Sequence, residues 1–288
     1  SDGTLKENHV MTLQGLQPET LYHIQITSLD EFGNPAITND ITFSTRATTG
    51  IVSDDFALCG DLSPAVWEWV DPFDDSAYDT TGTTLEIAVP GGTEHNPYTQ
   101  GNNSSRVMGL ADDKDFVVQV KFDSALTDNG TVQGIIVEQD AQNFMRFDFY
   151  KRNGQIVVYS AAFKDLTPAY TNNKVKIADT AGPLYMRVTR IGDTWLHEYS
   201  LDGADWFATT TNPFDFAINV KKIGPFAGNF EVGGIIPAHT ASVDYFFNMA
   251  APIDPEDSPY LITTSVVGEG SVTRNPDRQG YHCGEQVE

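Results

Sequence analysis

Short segments in which apolar and polar residues alternate make up most of the chain. The pattern is clear in segments 115–124, 183–207 and 241–250, and glycine, asparagine, aspartate or proline separates such segments. Alternation with a period of two is typical of β-strands that are buried on one face. No window shows a sustained helical period flanked by caps. The sequence therefore predicts an all-β chain whose main domain is a two-sheet antiparallel jelly-roll sandwich.

The sharpest local prediction is a hairpin in the segment FMRFDFYKRNGQIVVYSAAF, residues 144–163. Asn153 and Gly154 suit the two-residue loop of a type I′ turn, in which both central residues have positive φ. The resulting register places Arg146, Asp148 and Tyr159 on one face. The opposite face is predicted to belong to the core, with Met145, Phe147, Phe149, Ile156 and Val158 as its apolar members.

Two interruptions of the strand pattern predict the domain boundaries. Small polar residues fill 44–55, and a proline-rich acidic stretch fills 251–260. Both compositions are typical of linkers. We expect a first piece at 1–47, a central sandwich at 51–250, a linker at 251–259 and a final piece at 260–288.

The two flanking pieces resemble known extracellular modules. The first piece is similar to the C-terminal half of a fibronectin type III domain, because Leu16, Pro18 and Tyr22 match the tyrosine corner of that family. The stretch GEGSVTRNP in the final piece resembles the start of a bacterial cell-surface repeat. These resemblances imply a secreted or cell-surface bacterial protein in which other modules of the same polypeptide surround the sandwich.

The central segment carries a more extensive resemblance, over about residues 53–249. Its quoted stretches are the one from VWEWVDPFDD to NNSSRVM, then QGIIVEQDAQNFMRFDFY, PLYMRVTRIGDTWLHEYSLDGADW and KIGPFAGNF. Together they resemble the concanavalin-A-like lectin/glucanase sandwich modules found at the C-terminal side of bacterial glycoside hydrolases. The resemblance implies two antiparallel sheets, one of them concave, with carbohydrate meeting the concave sheet and its rim loops. It implies the fold more strongly than the ligand, since one fold hosts many functions.

Charge and composition exclude several partners. The chain has forty acidic and seventeen basic residues, which gives a formal net charge of −23. Such a charge repels phosphate backbones and anionic headgroups, so we expect no nucleic-acid partner and no membrane surface. No apolar run is long enough for membrane insertion. The two cysteines, Cys59 and Cys283, are too few for a disulfide framework.

The polar residues of the central segment suggest a carbohydrate site. Guanidinium and carboxylate groups match sugar hydroxyls, and an aromatic ring stacks on the apolar face of a sugar. The alternatives are ordinary cross-strand ion pairs on a solvated sheet and a loop whose polar groups satisfy nearby backbone. The predicted ligand-binding residues are His95, Tyr98, Asn102, Asn103, Arg106, Glu138, Arg146, Asp148 and Tyr159.

The functional prediction is a non-catalytic, lectin-like module that targets a larger protein to a polysaccharide or oligosaccharide. Hydrolases of this fold carry a Glu-x-Asp-x-x-Glu pattern on one strand, and the chain has no such spacing. One alternative is a structural or adhesive surface module without sugar binding. A less favoured one is a hydrolase or a polysaccharide lyase, in which His95, Tyr98 and Arg106 would abstract a proton from a uronate.

The resemblance also implies one structural calcium ion. Sandwiches of this kind often hold a cation where the first and last strands meet, with carboxylate and carbonyl oxygens as ligands. Asp54, Asp55 and Asp244 lie at those two ends and are the predicted ligands. The alternative is that these are unrelated surface acids. No other cofactor is expected.

Overall fold

The computed structural model describes residues 21–29, 32–44, 50–57, 60–172, 175–210, 213–254, 256–257, 262, 271–278, 280–281 and 286–287. The chain forms two compact units, 1–50 and 51–288. All of the regular structure in the described part is β-strand. That part contains no helix that is long and apolar enough to span a membrane.

The first unit contributes two pairs of antiparallel strands. Strand β1 (Leu21–Ile24) pairs with β4 (Ile41–Ser44), and β2 (Thr27–Leu29) pairs with β3 (Pro35–Ile37). Tyr22 of the predicted tyrosine corner lies in β1. Leu16 and Pro18 lie outside the described residues, so the fibronectin type III resemblance stays a prediction.

The second unit is a sandwich of two antiparallel eight-stranded sheets, which confirms the predicted fold class. The strands of the first sheet, called the front sheet, are β5 (Trp67–Val70), β10 (Ser105–Leu110), β12 (Thr131–Asp140), β13 (Asn143–Arg152), β14 (Gln155–Lys164), β15 (Thr167–Thr171), β16 (Val175–Ile177) and β21 (Lys222–Asn229). The strands of the second, called the back sheet, are β6 (Ala77–Thr80), β7 (Leu85–Val89), β11 (Phe116–Phe122), β17 (Leu184–Ile191), β18 (Thr194–Ser200), β19 (Phe207–Ala208), β20 (Phe214–Asp215) and β22 (His239–Asn248).

Strands distant in sequence are neighbours in both sheets. The front sheet has the order β15-β14-β13-β12-β21-β10-β5, with β16 also pairing with β14. The back sheet has the order β19-β18-β17-β11-β22-β7-β6, with β20 also pairing with β18. A separate short pair, β8 (Pro97–Tyr98) and β9 (Gly101–Asn102), lies in the connection between the sheets. The sandwich therefore depends on pairings that no local sequence pattern specifies.

The hairpin of β13 and β14 has the predicted geometry. Asn153 and Gly154 have φ of 53° and 69°, the positive values that a type I′ loop needs. Arg152 pairs with Gln155 and Asp148 pairs with Tyr159, which is the predicted register. The apolar set of this hairpin points into the space between the sheets, where Phe147 and Phe149 are fully buried.

Both faces of the front sheet are buried. One face packs on the back sheet and forms the main core. The other face, here called the covered face, carries a second apolar cluster that includes Met108, Ile136, Phe144, Phe163 and Phe226. A sheet that is apolar on both faces must be covered on both. Its polar residues are therefore enclosed as well.

Candidate functional site

The predicted polar group of β13 and β14 lies on the covered face. Nε of Arg146 donates to Oδ2 of Asp148 at 2.6 Å, and the guanidinium carbon lies 5.5 Å from the centroid of the Tyr159 ring. Arg146 is 3% exposed and Asp148 is 0% exposed. Burial raises the pKa of the Tyr159 hydroxyl, against the opposing effect of the Arg146 charge. The phenol is therefore a neutral group beside an ion pair.

Residues 92–104, here called the covering segment, lie over this group. Arg146 Nη1 donates to Oδ1 of Asn96 at 2.8 Å and to the carbonyl oxygen of Pro97 at 2.9 Å. The ring of Tyr98 meets the ring of Phe163 edge-on, with centroids 5.6 Å apart. The covering segment thus accepts hydrogen bonds from Arg146, a residue that the sequence predicts to bind a sugar. This face is not turned to solvent, as a sugar site on it would require, because the chain itself occupies it.

A second ion pair fastens the other end of the covering segment. Nε of Arg106 lies 3.3 Å from Oε2 of Glu138. Its Nη1 donates to the carbonyl oxygens of Asn102 at 3.1 Å and Ser104 at 2.9 Å. Burial lowers the pKa of the Arg106 guanidinium, and the charge of Glu138 opposes that shift. Asn103, which lies between Asn102 and Ser104 in the sequence, is half-buried.

His95 belongs to a different set of contacts from Tyr98 and Arg106. Its side chain is 0% exposed, and Nε2 lies 2.8 Å from Oδ1 of Asp75. Its backbone N–H donates to Oδ1 of Asn229 at 2.8 Å. The structure therefore does not bring His95, Tyr98 and Arg106 together as the proton-abstracting set that a lyase would require.

The predicted calcium ligands are engaged in several different contacts. Asp54 Oδ2 accepts from Nε1 of Trp67 at 2.7 Å, and Asp244 Oδ2 accepts from Nζ of Lys121 at 2.6 Å. Asp54 does reach the last strand, since its backbone pairs with that of Phe246. Asp55 Oδ2 accepts the backbone N–H of Asp257 at 3.2 Å.

In the described residues, Asp244 groups with Glu256 and Asp257, whose carboxylate oxygens lie within 4.8 Å of one another. Burial and a hydrogen bond to Asp244 raise the pKa of Glu256 to about 8. Asp54 and Asp55 are not members of this group. Calcium at the junction of the first and last strands stays a prediction.

Sequence reasoning missed Asn96, Asp75 and Asn229. Asn96 and Arg146 are 50 positions apart, and His95 and Asn229 are 134 positions apart. No spacing rule joins residues at such separations. The only available signal was the crowding of polar residues in a glycine-bounded loop, which indicated an unusual loop but not its partners.

No family model matches the chain, and no curated protein matches it. Among solved structures, the chain is similar to the GH43 protein BlXynB from Bacillus licheniformis, with 15% identity over 76% of this chain and 45% of that one, and a TM-score of 0.53. It is also similar to a bifunctional GH43-CE protein from Bacteroides eggerthii, with 20% identity over 77% and 30% of the two chains and a TM-score of 0.52.

A third similar structure is a GH43 glycoside hydrolase whose engineered form displays endo-xylanase and exo-arabinofuranosidase activity. It shares 11% identity over 76% of this chain and 47% of its own, with a TM-score of 0.52. The chain thus spans less than half the length of each of these three proteins. At these identities the likeness shows a common fold.

These findings correct the prediction of a non-catalytic, lectin-like module. The similar structures are GH43 proteins, one of which is described as a glycoside hydrolase, and none of the three is described as a lectin. The physical basis of the lectin prediction also fails, because Arg146, Asp148 and Tyr159 are at most 6% exposed beneath the covering segment.

Proposed function

We propose that this chain is the β-sandwich part of a glycoside hydrolase, and that the protein containing it cleaves glycosidic bonds in a xylan-type polysaccharide. The observation that carries the proposal is the match of about three quarters of the chain, at TM-scores above 0.5, to proteins described as GH43. The activities in the description of one of them supply the substrate class. A polysaccharide substrate favours a secreted or cell-surface location for the protein.

The contacts on the covered face favour a structural role for the sandwich. Hydrolysis needs a protonated carboxylic acid and a second carboxylate, about 5 to 9.5 Å apart. On the covered face, Glu138 and Asp148 each form an ion pair with an arginine. Each carboxylate thus contacts a buried guanidinium, a position at which a glycosidic oxygen would have to compete with the arginine. We therefore propose that this sandwich, of concanavalin-A-like architecture, is a structural part of the catalytic protein, and that the hydrolysing carboxylates lie outside the covered face.

Assays of the full-length protein and of this 288-residue chain test the proposal. The substrates are an aryl β-xyloside, an aryl α-arabinofuranoside and xylan, and released aryl alcohol and reducing ends are measured. We expect hydrolysis by the full-length protein and none by the chain. A folded full-length protein that cleaves none of the substrates contradicts the proposal. Hydrolysis by the chain that Glu138→Gln abolishes would instead place catalysis in the sandwich.

A further inference from the structure

Three side chains with metal-binding atoms that belong to neither ion pair of the covered face meet at one rim of the sandwich. Asp71 and Asp75 lie in the connection between β5 and β6, and His95 lies in the covering segment. Their nearest carboxylate and imidazole atoms all lie within 4.8 Å of one another. His95 Nε2 is 2.8 Å from Oδ1 of Asp75. Two segments that are 20 residues apart thus converge on one point.

The surroundings of His95 determine which ring nitrogen carries hydrogen. Nδ1 lies 3.0 Å from the carbonyl oxygen of Thr93 and 3.3 Å from Oδ1 of Asn229. Asn229 cannot be turned around, because its Nδ2 donates to the carbonyl oxygens of Pro90 and Pro237 at 2.8 and 2.6 Å. Both neighbours of Nδ1 are therefore acceptors, and Nδ1 must donate. The lone pair of a neutral His95 is then on Nε2 and points at the carboxylates.

This arrangement is the one that metal-binding histidines use. Such a histidine donates its second ring N–H to a carbonyl oxygen, which fixes the tautomer and orients the ring. The carboxylate of Asp71 is also aimed by its neighbours, since its two oxygens accept from the backbone N–H groups of Phe73 at 3.3 Å and Ser76 at 2.8 Å. The Phe73 ring packs edge-on against the imidazole, 5.3 Å between centroids.

We propose that Asp71, Asp75 and His95 bind a divalent transition-metal ion, for which Zn²⁺ is the best fit. Zn²⁺ accepts imidazole nitrogen and carboxylate oxygen in a four-coordinate shell, and water would complete it. Calcium takes about six to eight oxygen ligands, which suits this set poorly. The site is distinct from the predicted calcium site at Asp54, Asp55 and Asp244 and does not depend on the proposed glycoside hydrolase function.

The ion would act as a cross-link. Asn229 ends β21 and already holds the backbone of His95, so a metal at His95 joins the connection between β5 and β6 to the front sheet. The competing state without metal places a second proton on His95 and forms an imidazolium–carboxylate pair with Asp75. The two states differ in metal content, so metal binding separates them.

Co²⁺ titration of the metal-free chain, with Cys59→Ser and Cys283→Ser to remove thiolate ligands, tests the site. We expect one visible absorption band that saturates at one equivalent and that Zn²⁺ displaces. Asp75→Asn and Asp71→Asn should each weaken Co²⁺ affinity by about tenfold or more. Asp74→Asn is the matched control, because Asp74 is in the same connection, is not a member of the group, and has a φ of 56° that asparagine tolerates.

Absence of the band in the parent chain overturns the proposal and favours the ion pair. So does a band that Asp71→Asn and Asp75→Asn leave unchanged. Circular dichroism reports whether each variant folds. If one aspartate variant does not fold, the other variant decides. Thermal stabilisation by Zn²⁺ gives a second readout, because we expect it in the parent chain and not in the folded variant. Equal stabilisation of both proteins also overturns the site.

Discussion

Arg146 joins its own strand, β13, to the covering segment. Its guanidinium is donor to Asp148 on its own strand and to Asn96 and Pro97 in the covering segment. Arginine suits this position because it presents several donors in a fixed plane and stays charged when buried. Arg146 therefore binds the covering segment at the position where the sequence predicts a sugar.

Replacing Arg146 should therefore destabilise the sandwich strongly. Arg146→Met leaves the buried Asp148 without its cation, and breaking one side of a buried pair costs about 3 to 5 kcal/mol. Urea denaturation followed by tryptophan fluorescence measures the loss in the free energy of unfolding.

The double variant Arg146→Met/Asp148→Leu is the informative comparison. Replacing both members of a buried ion pair with apolar residues is often close to neutral, so we expect it to recover much of the loss. A double variant that is less stable than Arg146→Met would contradict the view that the uncompensated charge of Asp148 causes the damage.

At the scale of elements, local and distant contacts differ in how well sequence predicts them. The β13–β14 hairpin was predictable down to its register, because a two-residue loop with positive φ fixes which residues face each other. The covering segment was not predictable. Its loop residues carry no period, and their partners on β10, β13 and β21 were unknown until the sheet order was known.

Gly228 of β21 shows how closely the covering segment approaches the sheet. A Cβ at this position would lie 2.2 Å from the carbonyl oxygen of His95. Gly228→Ala should displace the covering segment and cost about 1 to 3 kcal/mol, the usual range for overpacking a filled site. Hydrogen exchange should accelerate in residues 92–104.

Gly154→Ala provides a matched comparison. A Cβ there meets nothing within 4 Å, and the cost comes only from the positive φ of 69°, about 1 kcal/mol. We expect its effect on hydrogen exchange to stay within the β13–β14 hairpin. Equal acceleration in residues 92–104 for both variants would show that Gly228 has no special relation to His95.

At the scale of the whole molecule, buried titratable groups set the dependence of stability on pH. Burial lowers the pKa of His197 to about 3 and that of His239 to about 4. The unfolded chain protonates these groups below pH 6.5, whereas the folded chain keeps them neutral. Stability should therefore fall on acidification from 6.5, by about 1.4 kcal/mol per pH unit for each proton.

Glu256 acts in the opposite direction on the alkaline side. Its folded-state pKa of about 8 exceeds the ordinary value of 4.5, because burial and Asp244 penalise its charge. The stability from its protonated form is complete below 4.5 and is lost as pH rises through 8. Between 4.5 and 6.5 the two histidines outweigh this group. Of these three groups, only Glu256 contributes above 6.5, so we expect maximum stability near pH 6.5.

His197→Leu tests the acid side of this profile. The substitution removes one proton-binding group, so the slope of unfolding free energy between pH 4 and 6 should decrease by about one proton. Urea denaturation at each pH measures the slope. Val188→Ala is the control, because Val188 pairs with His197 across β17 and β18, is fully buried and carries no proton-binding group, so its loss should lower stability without altering the slope. An unchanged slope in His197→Leu would contradict the assignment.

The sequence by itself determined the all-β class, the register of its tight hairpin and the apolar set of β13 and β14, because these follow from alternation and turn geometry within a few residues. Only the tertiary structure decided what lies on the other face of the front sheet. Whether a polar face meets water or another segment depends on contacts between residues 50 to 134 positions apart. The same long-range folding brings His95 to Asp75 and closes Arg146 beneath the covering segment, and no local pattern encodes either contact.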